Sequence, residues 1–307
     1  MAHHPDFESL RPLLFSISYR ILGSVGEAED AVQETWLRYV TTSTVPRDLK
    51  AFLYATITRI SIDVLRSARV RRQQYIGPWV PEPLLTDPYQ DPEQSAELSD
   101  SVSMAALLLL ERLSPLERAV FVLREVFRFS YPEVAAAVGR SETACRQLAS
   151  RARNHMEQGK PRFEADRAKR LELAHLFFNA LKEGDVEALR EMLAADVNVV
   201  ADGGGKVRGK GGALGAEKTA RALMAGIPPM LEMGFLIEQH EVNGQPGAIV
   251  RSPDGKVVAA WSLEILDDQI QTIHSVNNPE KLSHLGPVGD LNGLIRARNR
   301  MQRPAAE

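Results

Sequence analysis

Thr143, Arg146, Gln147, Ser150 and Asn154 recur at helical spacing and form one polar, basic face. Hydrogen-bonding side chains in that pattern suit the base edges and phosphates of a DNA major groove, provided a helix presents them. Residues 130–156, SYPEVAAAVGRSETACRQLASRARNHM, supply that helix and a second one before it. Tyr131–Val138 carries apolar residues at helical spacing, with Pro132 acceptable in a first turn. Gly139 ends this helix, because glycine enters the left-handed region without steric cost. Ser141 is a natural N-cap for the next helix. Ala144, Cys145, Leu148, Ala149, Ala152 and Met156 then make a buried stripe opposite the polar face. Two small-residue helices joined by a three-residue turn are the pattern of a helix-turn-helix. An ordinary helical hairpin with a solvated face shares it, so the segment alone points to DNA without deciding the matter.

The 307 residues have room for more than one domain. The net charge of −3 conceals local contrasts. Cys145 is the single cysteine, so no intramolecular disulfide can form, which fits a reducing compartment. The N-terminal MAHHPDFESL lacks a basic stretch followed by an apolar one, so no secretion signal is expected. The longest purely apolar run, Met104–Leu110, is too short to span a bilayer. A cytoplasmic location without membrane attachment is expected. The seven histidines are scattered, with no metal-ligand spacing, and GGGK at 203–206 lacks the features of a phosphate loop. Neither a metal nor a cofactor is expected.

Residues 6–72 read as helices over 7–22, 28–39 and 49–72, with a break at Ser24-Val25-Gly26 and a loop at 41–46. Two of these helices have opposite charge. The stretch 27–38 is acidic on its outer face, with Trp36 and Leu37 near its end. Residues 47–73 hold seven basic and two acidic residues. The basic helix suits phosphates, which release counterions when neutralised. DNA would repel the acidic one, so a protein with basic grooves is its natural partner. Two solvated helices with chance charge runs would look the same. Residues 73–101 form a linker, with six acids (Glu82, Asp87, Asp91, Glu93, Glu97, Asp100), five prolines and no lysine or arginine. It contains an apolar knot at 79–84, which should dock onto something, since a disordered linker seldom invests a tryptophan. Residues 102–160 return to helix, and 160–167 is a charged junction.

Beyond the junction the pattern changes. Helices are expected over 166–183 and 186–194. Strands follow over 197–201, 234–242, 248–251, 257–266 and 270–276, with turns at Asn243-Gly244, Asp254-Gly255 and Asp267-Asp268. Helices followed by a meander imply an α+β domain over 166–284, its helices on one face of an antiparallel sheet. Gly209-Lys210-Gly211-Gly212 reads as a flexible turn, and residues 285–307 as a mobile tail.

The runs AEDAVQETWLR, AFLYATITRISIDVLRS and LERLSPLERAVFVLREVFRFSYPEVAAAVGRSETACRQLASRAR together resemble the extracytoplasmic-function (ECF) sigma factors of bacterial RNA polymerase. The resemblance implies a non-enzymatic multidomain protein that binds core polymerase and directs transcription from specific promoters. It implies an all-α region 2 over 1–72 and an all-α region 4 over 102–160. Asp30, Gln33, Glu34 and Trp36 would grip the polymerase β′ subunit, and Arg59, Asp63, Arg66 and Arg69 would recognise the −10 element. The second region would bind the β subunit. Arg146, Gln147 and Ser150 would read the −35 element, arginine pairing with guanine and glutamine with adenine. Arg140, Arg151 and Arg153 would hold phosphates. An extended acidic linker would suit the polymerase's positively charged channels.

The α+β segment resembles the SnoaL-like branch of the cone-shaped NTF2-like fold. WVPEP at 79–83 (Trp79, Pro81, Glu82, Pro83), DGGGK at 202–206 (Asp202, Gly203, Gly204, Gly205, Lys206) and NPEKL at 278–282 (Asn278, Pro279, Glu280, Lys281, Leu282) resemble motifs of the SigJ-like subgroup with this extension. Val80 stands where that subgroup usually has leucine, and Glu280 where it often has aspartate. The resemblance implies an extension that modulates the sigma regions in cis, in place of a dedicated anti-sigma factor. The knot and the DGGGK turn are the candidate contacts between extension and sigma domains. Relatives of the fold include cyclases and isomerases, in which Asp202 and His274 would be the reacting pair, with Asp196 a weaker candidate. A tight Gly-rich turn and a satisfied strand histidine explain those residues equally, and a small-molecule ligand stays open. Two alternatives remain: a ligand-sensing one-component regulator, and a SnoaL-like enzyme with a DNA-binding appendage.

Overall fold

The computed structural model describes residues 5–43, 46–89, 98, 100–158, 166–207, 212–213 and 215–301. Asp91, Glu93 and Glu97 of the acidic linker, most of the 160–167 junction and Gly209 to Gly211 lie outside the described residues. The chain divides into two compact units, and the division cuts the linker. Unit 1 comprises residues 1–74 and 86–161, whereas Tyr75–Leu85 belongs with residues 162–307 in unit 2.

Unit 1 is helical. Helices α1 (Pro5–Leu22), α2 (Val25–Thr41) and α3 (Leu49–Arg72) bury Leu14, Ile17, Ile21, Val32, Leu53 and Ile57 among themselves. Ser24 caps α2 by accepting the Glu27 amide. Helices α4 (Met104–Leu110), α5 (Pro115–Phe121), α6 (Tyr131–Val138) and α7 (Glu142–Glu157) follow. The starts of α5 and α6 are fixed by the same device. Ser114 with Glu117, and Ser130 with Glu133, form reciprocal capping boxes, each followed by a proline in the first turn. Gly139 ends α6 at φ 65°, as its position in the sequence predicts. A π-helical turn at Val122–Val126, not expected from the spacing, joins α5 to the turn before α6.

The two halves of unit 1 meet through buried charge. Glu111, just after α4, accepts hydrogen bonds from the fully buried Arg118 of α5 and from Arg72 at the end of α3 (2.6 Å). Arg118 also donates to the Arg20 carbonyl of α1. Arg20 is itself buried, pairs with Asp87 at 2.9 Å, and donates to Ser101 and the Leu98 carbonyl. Asp87 is therefore neutralised within unit 1.

Unit 2 is α+β. Helices α8 (Arg167–Glu183), α9 (Val186–Met192) and α10 (Gly215–Glu232) accompany strands β1 (Leu193–Asp202), β2 (Gly212–Ala213), β3 (Leu236–Val242), β4 (Gln245–Arg251), β5 (Val257–Leu266) and β6 (Gln269–Val276). The sheet order is β2-β1-β6-β5-β4-β3. The meander β3 to β6 is antiparallel, with Asn243-Gly244 and Asp267-Asp268 turning at positive φ as the sequence predicts. The sheet as a whole is mixed, because β1 joins β6 in parallel. That corrects the expected antiparallel sheet. The expected mobile tail is also corrected: α11 (Leu291–Met301) follows 285, and its Leu291, Leu294 and Ile295 pack onto the core. That core lies on the helix side of the sheet and contains Phe177, Phe178, Trp261, Leu263 and Ile273.

Arg118 and Arg72 give a pH signature to unit 1. Burial opposes charge on Glu111, but the two arginines outweigh it and hold its carboxyl below the ordinary 4.5. Its stabilisation is present above that value and is lost as pH falls below it. Glu111→Gln, which leaves Arg118 buried without its counter-charge, should cost about 3 kcal/mol. It should also flatten the acid limb. Hydrogen exchange of the α5 amides between neutral pH and the acid range measures both.

Candidate nucleic-acid interface

Helix α7 is held by its apolar stripe. Cys145, Leu148, Ala149 and Ala152 are buried, and Ser141 accepts the Ala144 amide at 3.3 Å. Arg146, Gln147, Ser150 and Arg151 are all exposed, as the periodicity requires, and so is Arg140 in the preceding turn. Their ion pairs are loose. Arg146 is 3.6 Å from Glu142 with 60% of its side chain exposed, and Arg151 is 3.5 Å from Glu117. Pairs of that kind are worth little and leave the guanidinium groups available.

Helix α3 divides its expected DNA contacts into two sets. Asp63 and Arg66 pair at 3.0 Å on the surface. Arg59 and Arg69 instead turn onto the second half of unit 1. Arg59 donates to the carbonyls of Ala136 (2.8 Å) and Ala137 (3.1 Å), in the last turn of α6, where helix carbonyls lack partners of their own. Arg69 donates to the carbonyls of Glu111 (2.9 Å) and Leu113. The structure therefore does not gather the four −10 candidates on one open face.

On α2, Asp30 and Gln33 are exposed and Glu34 pairs with Arg38 at 2.9 Å. Trp36 is half-buried, its ring 4.9 Å from that of Phe7. Leu37 and Val40 extend the Asp30–Gln33 stripe at helical spacing, and they are 53% and 44% exposed. A stripe that is acidic at one end and apolar at the other is a surface for protein rather than DNA.

The three motifs around the extension come together in unit 2. Asp202, at the end of β1, has no solvent exposure. Its carboxylate accepts the Tyr75 hydroxyl (2.5 Å), the Val80 amide (2.9 Å), the Gly204 amide (3.0 Å) and the Lys281 ammonium (2.7 Å). Lys281 also donates to the Val80 carbonyl and lies 4.2 Å from the centre of the Trp79 ring and 5.0 Å from that of Tyr75. Asn278 donates to the Tyr75 hydroxyl (2.9 Å). Burial and the bond to Asp202 raise the Tyr75 pKa, so it stays a donor. Further along, Leu84 exchanges hydrogen bonds with Asn243 (2.7 and 2.9 Å), and the Pro83 carbonyl accepts from His284 (2.7 Å). Lys206 pairs with Glu280 at the surface. The glycines are required by space: a Cβ on Gly203 would lie 1.9 Å from the Val207 carbonyl oxygen, and one on Gly204 would lie 2.5 Å from Asn278.

Comparison with known proteins places this geometry. A sigma-70 region 2 model matches residues 7–71, and a sigma-70 region 4 model matches residues 103–156. The ECF RNA polymerase sigma factor SigJ of Mycobacterium tuberculosis is 33% identical over 288 residues, covering 91% of this chain and 92% of the relative. The chain belongs to the ECF sigma factors. The probable ECF sigma factor SigI of the same species is 29% identical over 280 residues, covering 90% and 93%. The crystal structure of M. tuberculosis SigJ matches with a TM-score of 0.69 at 30% identity, over 92% of this chain and 98% of that one.

In this ECF factor, unit 1 carries regions 2 and 4, and unit 2 is an α+β extension. The apolar knot docks, as expected, within unit 2, on Asp202, Lys281, Asn243 and His284. The sequence left Tyr75, Asn243 and His284 unnoticed. Only Asn243 carried a signal, and that signal was its turn. Register places Asp202 and His274 on the sheet face opposite the Phe177–Trp261 core, because Ile273 pairs with Leu263 and Val199 on the helix side. Asp202 is occupied by its four donors, and His274 sits 2.5 Å from Glu264. Among the described residues, no cluster of His, Cys, Asp or Glu could hold a metal, and no helix is long and apolar enough to cross a membrane.

Lys281→Met should release residues 78–84 while sparing the sheet. Acrylamide quenching should show Trp79 newly accessible, and hydrogen exchange should rise at Val80 and Leu84 but not in β5. Gly203→Ala should produce the same release, because its Cβ displaces the DGGGK turn.

Proposed function

We propose that this sigma factor binds core RNA polymerase through Asp30, Gln33, Glu34, Trp36 and the exposed Leu37–Val40 end of α2. Region 2 then engages the −10 element and α7 reads the −35 element. The cytoplasm is where such a protein acts, and no catalytic turnover is assigned to it. Exposure of Arg146, Gln147, Ser150 and Arg151 on a helix with a fully buried opposite face supports the −35 assignment. Arg59 serves DNA only after α3 parts from α6, and Arg69 only after α3 parts from the turn before α5, so binding to polymerase exchanges backbone carbonyls for phosphates. The acceptor changes and the guanidinium chemistry does not.

The C-terminal extension regulates in cis by holding Tyr75–Leu85, the segment that joins region 2 to region 4. The observation that carries this reading is the buried Asp202 carboxylate, which ties Tyr75, Val80 and Lys281 together. A covalently attached domain holds its target at high effective concentration, so this reading requires no separate anti-sigma protein. Asp202 is occupied by its four donors and His274 pairs with Glu264, which supports a scaffold over an enzyme.

Run-off transcription with purified core polymerase tests both parts. The full chain and a chain ending at residue 165 should differ in promoter-dependent output and in core affinity. Lys281→Met should move the full chain towards the truncated one. Equal output from all three would overturn regulation by the extension. Failure of every form to support initiation would overturn the promoter reading. A cut at Leu282 is a poorer probe, since it also removes α11, which packs on the extension's core.

A further inference from the structure

Tyr131 opens α6, the first helix of the helix-turn-helix, yet its ring belongs energetically to the second. The Arg146 guanidinium carbon lies 4.2 Å from its centre, and that of Arg124, from the π-helical turn, lies 4.7 Å from it. Arg124 is fixed independently, since its Nη1 donates to the Phe129 carbonyl at 2.8 Å. The Ser130–Glu133 capping box fixes the backbone that carries Tyr131. One face of the arrangement is thus built rigidly: a capped helix start, an anchored arginine and a half-buried ring. Arg146 is the exposed member. Its other partner, Glu142, is 3.6 Å away and exposed, which is too weak to order a long side chain.

An exposed arginine samples many rotamers, and a DNA-reading one must give up that freedom on binding. A ring that already holds the guanidinium removes part of this cost before the duplex arrives. We propose that Tyr131 is a positioning residue for promoter readout: its ring pre-orders Arg146 over the open face of α7, so the base contact made by Arg146 depends on Tyr131. The inference rests on the reading of Arg146 as a −35 contact. The ring is the active element and the hydroxyl is not.

The test is run-off transcription by core polymerase with the full chain, on a −35-dependent promoter and on versions substituted at each −35 position. Tyr131→Phe should behave as the parent. Tyr131→Leu, apolar but without a ring, should weaken promoter use by about two- to five-fold and flatten discrimination at the base read by Arg146. In an Arg146→Ala background, Tyr131→Leu should cost nothing further. Equal losses in the two backgrounds, or unchanged base discrimination in Tyr131→Leu, would overturn the proposal. Should the leucine variant fold poorly, the side-chain NMR signals of Arg146 in the parent and in Tyr131→Phe decide the question. Ring-current shifts in both support the proposal, and their absence refutes it. If Arg146→Ala leaves −35 discrimination intact, the assignment of Arg146 fails and the inference falls with it. If Arg146→Ala abolishes discrimination while Tyr131→Leu does not, only the inference fails.

Discussion

A carboxylate taken fully out of water costs several kcal/mol unless its lone pairs are filled, so a buried acid dictates which segments must meet around it. Asp202 imposes that constraint on unit 2. Two of its donors, Tyr75 and Val80, come from the linker. A third, Lys281, comes from the segment after β6, and the fourth is the amide of Gly204 in its own turn. No subset suffices, because losing one donor leaves a buried charge under-satisfied. Lys281 is bound by the same rule: its ammonium is buried too, donates to the Val80 carbonyl and lies against the Trp79 and Tyr75 rings. Glu111 plays the corresponding part in unit 1, where Arg118 and Arg72 converge on it from different helices. One acid in each unit thus decides how sequence-distant segments come together.

The arginines sort by the strength of what holds them. Arg20 and Arg118 are buried and serve the fold. Arg59 and Arg69 occupy backbone carbonyls, at the end of α6 and around the turn before α5, and those acceptors resemble phosphate oxygens in what they ask of a guanidinium. Arg140, Arg146 and Arg151 stand in solvent with weak partners. A chain that must bind DNA in one state and fold compactly in another can use the same chemical group for both. On the proposed reading, the gradation from buried to exposed orders the arginines by how readily they reach a phosphate.

Much of the architecture was legible because local chemistry fixed it. Pro132, Gly139 and Ser141 mark the helix-turn-helix boundaries through cap geometry alone, and α3 runs over the span that its periodicity gives. The extension was harder to read. The Pro228-Pro229 pair looks like a breaker, yet α10 runs through it, because its buried Ala220 and Ile227 face the core. Parallel pairing of β1 with β6 leaves no turn signal, since distant strands find one another only through the finished fold. Charge alone also could not separate Arg59 and Arg69 from Arg66. All three read as phosphate ligands, and only the tertiary structure shows which already have acceptors. Tyr131 was read as an apolar helix residue because its partner lies one helix away.

The division of the linker gives the extension a hold on part of the chain between the two sigma regions. The chain leaves unit 1 at Gln74 and rejoins it at Thr86, and the intervening residues are spent on Asp202, Lys281, Asn243 and His284. Region 2 and region 4 are therefore joined by a stretch whose conformation the extension sets. A free linker of that length would behave as a proline-stiffened spacer, with its reach governed by chain statistics. A docked one has a single end-to-end distance fixed by side-chain hydrogen bonds. On the proposed reading, releasing it restores that reach without altering a residue in either region.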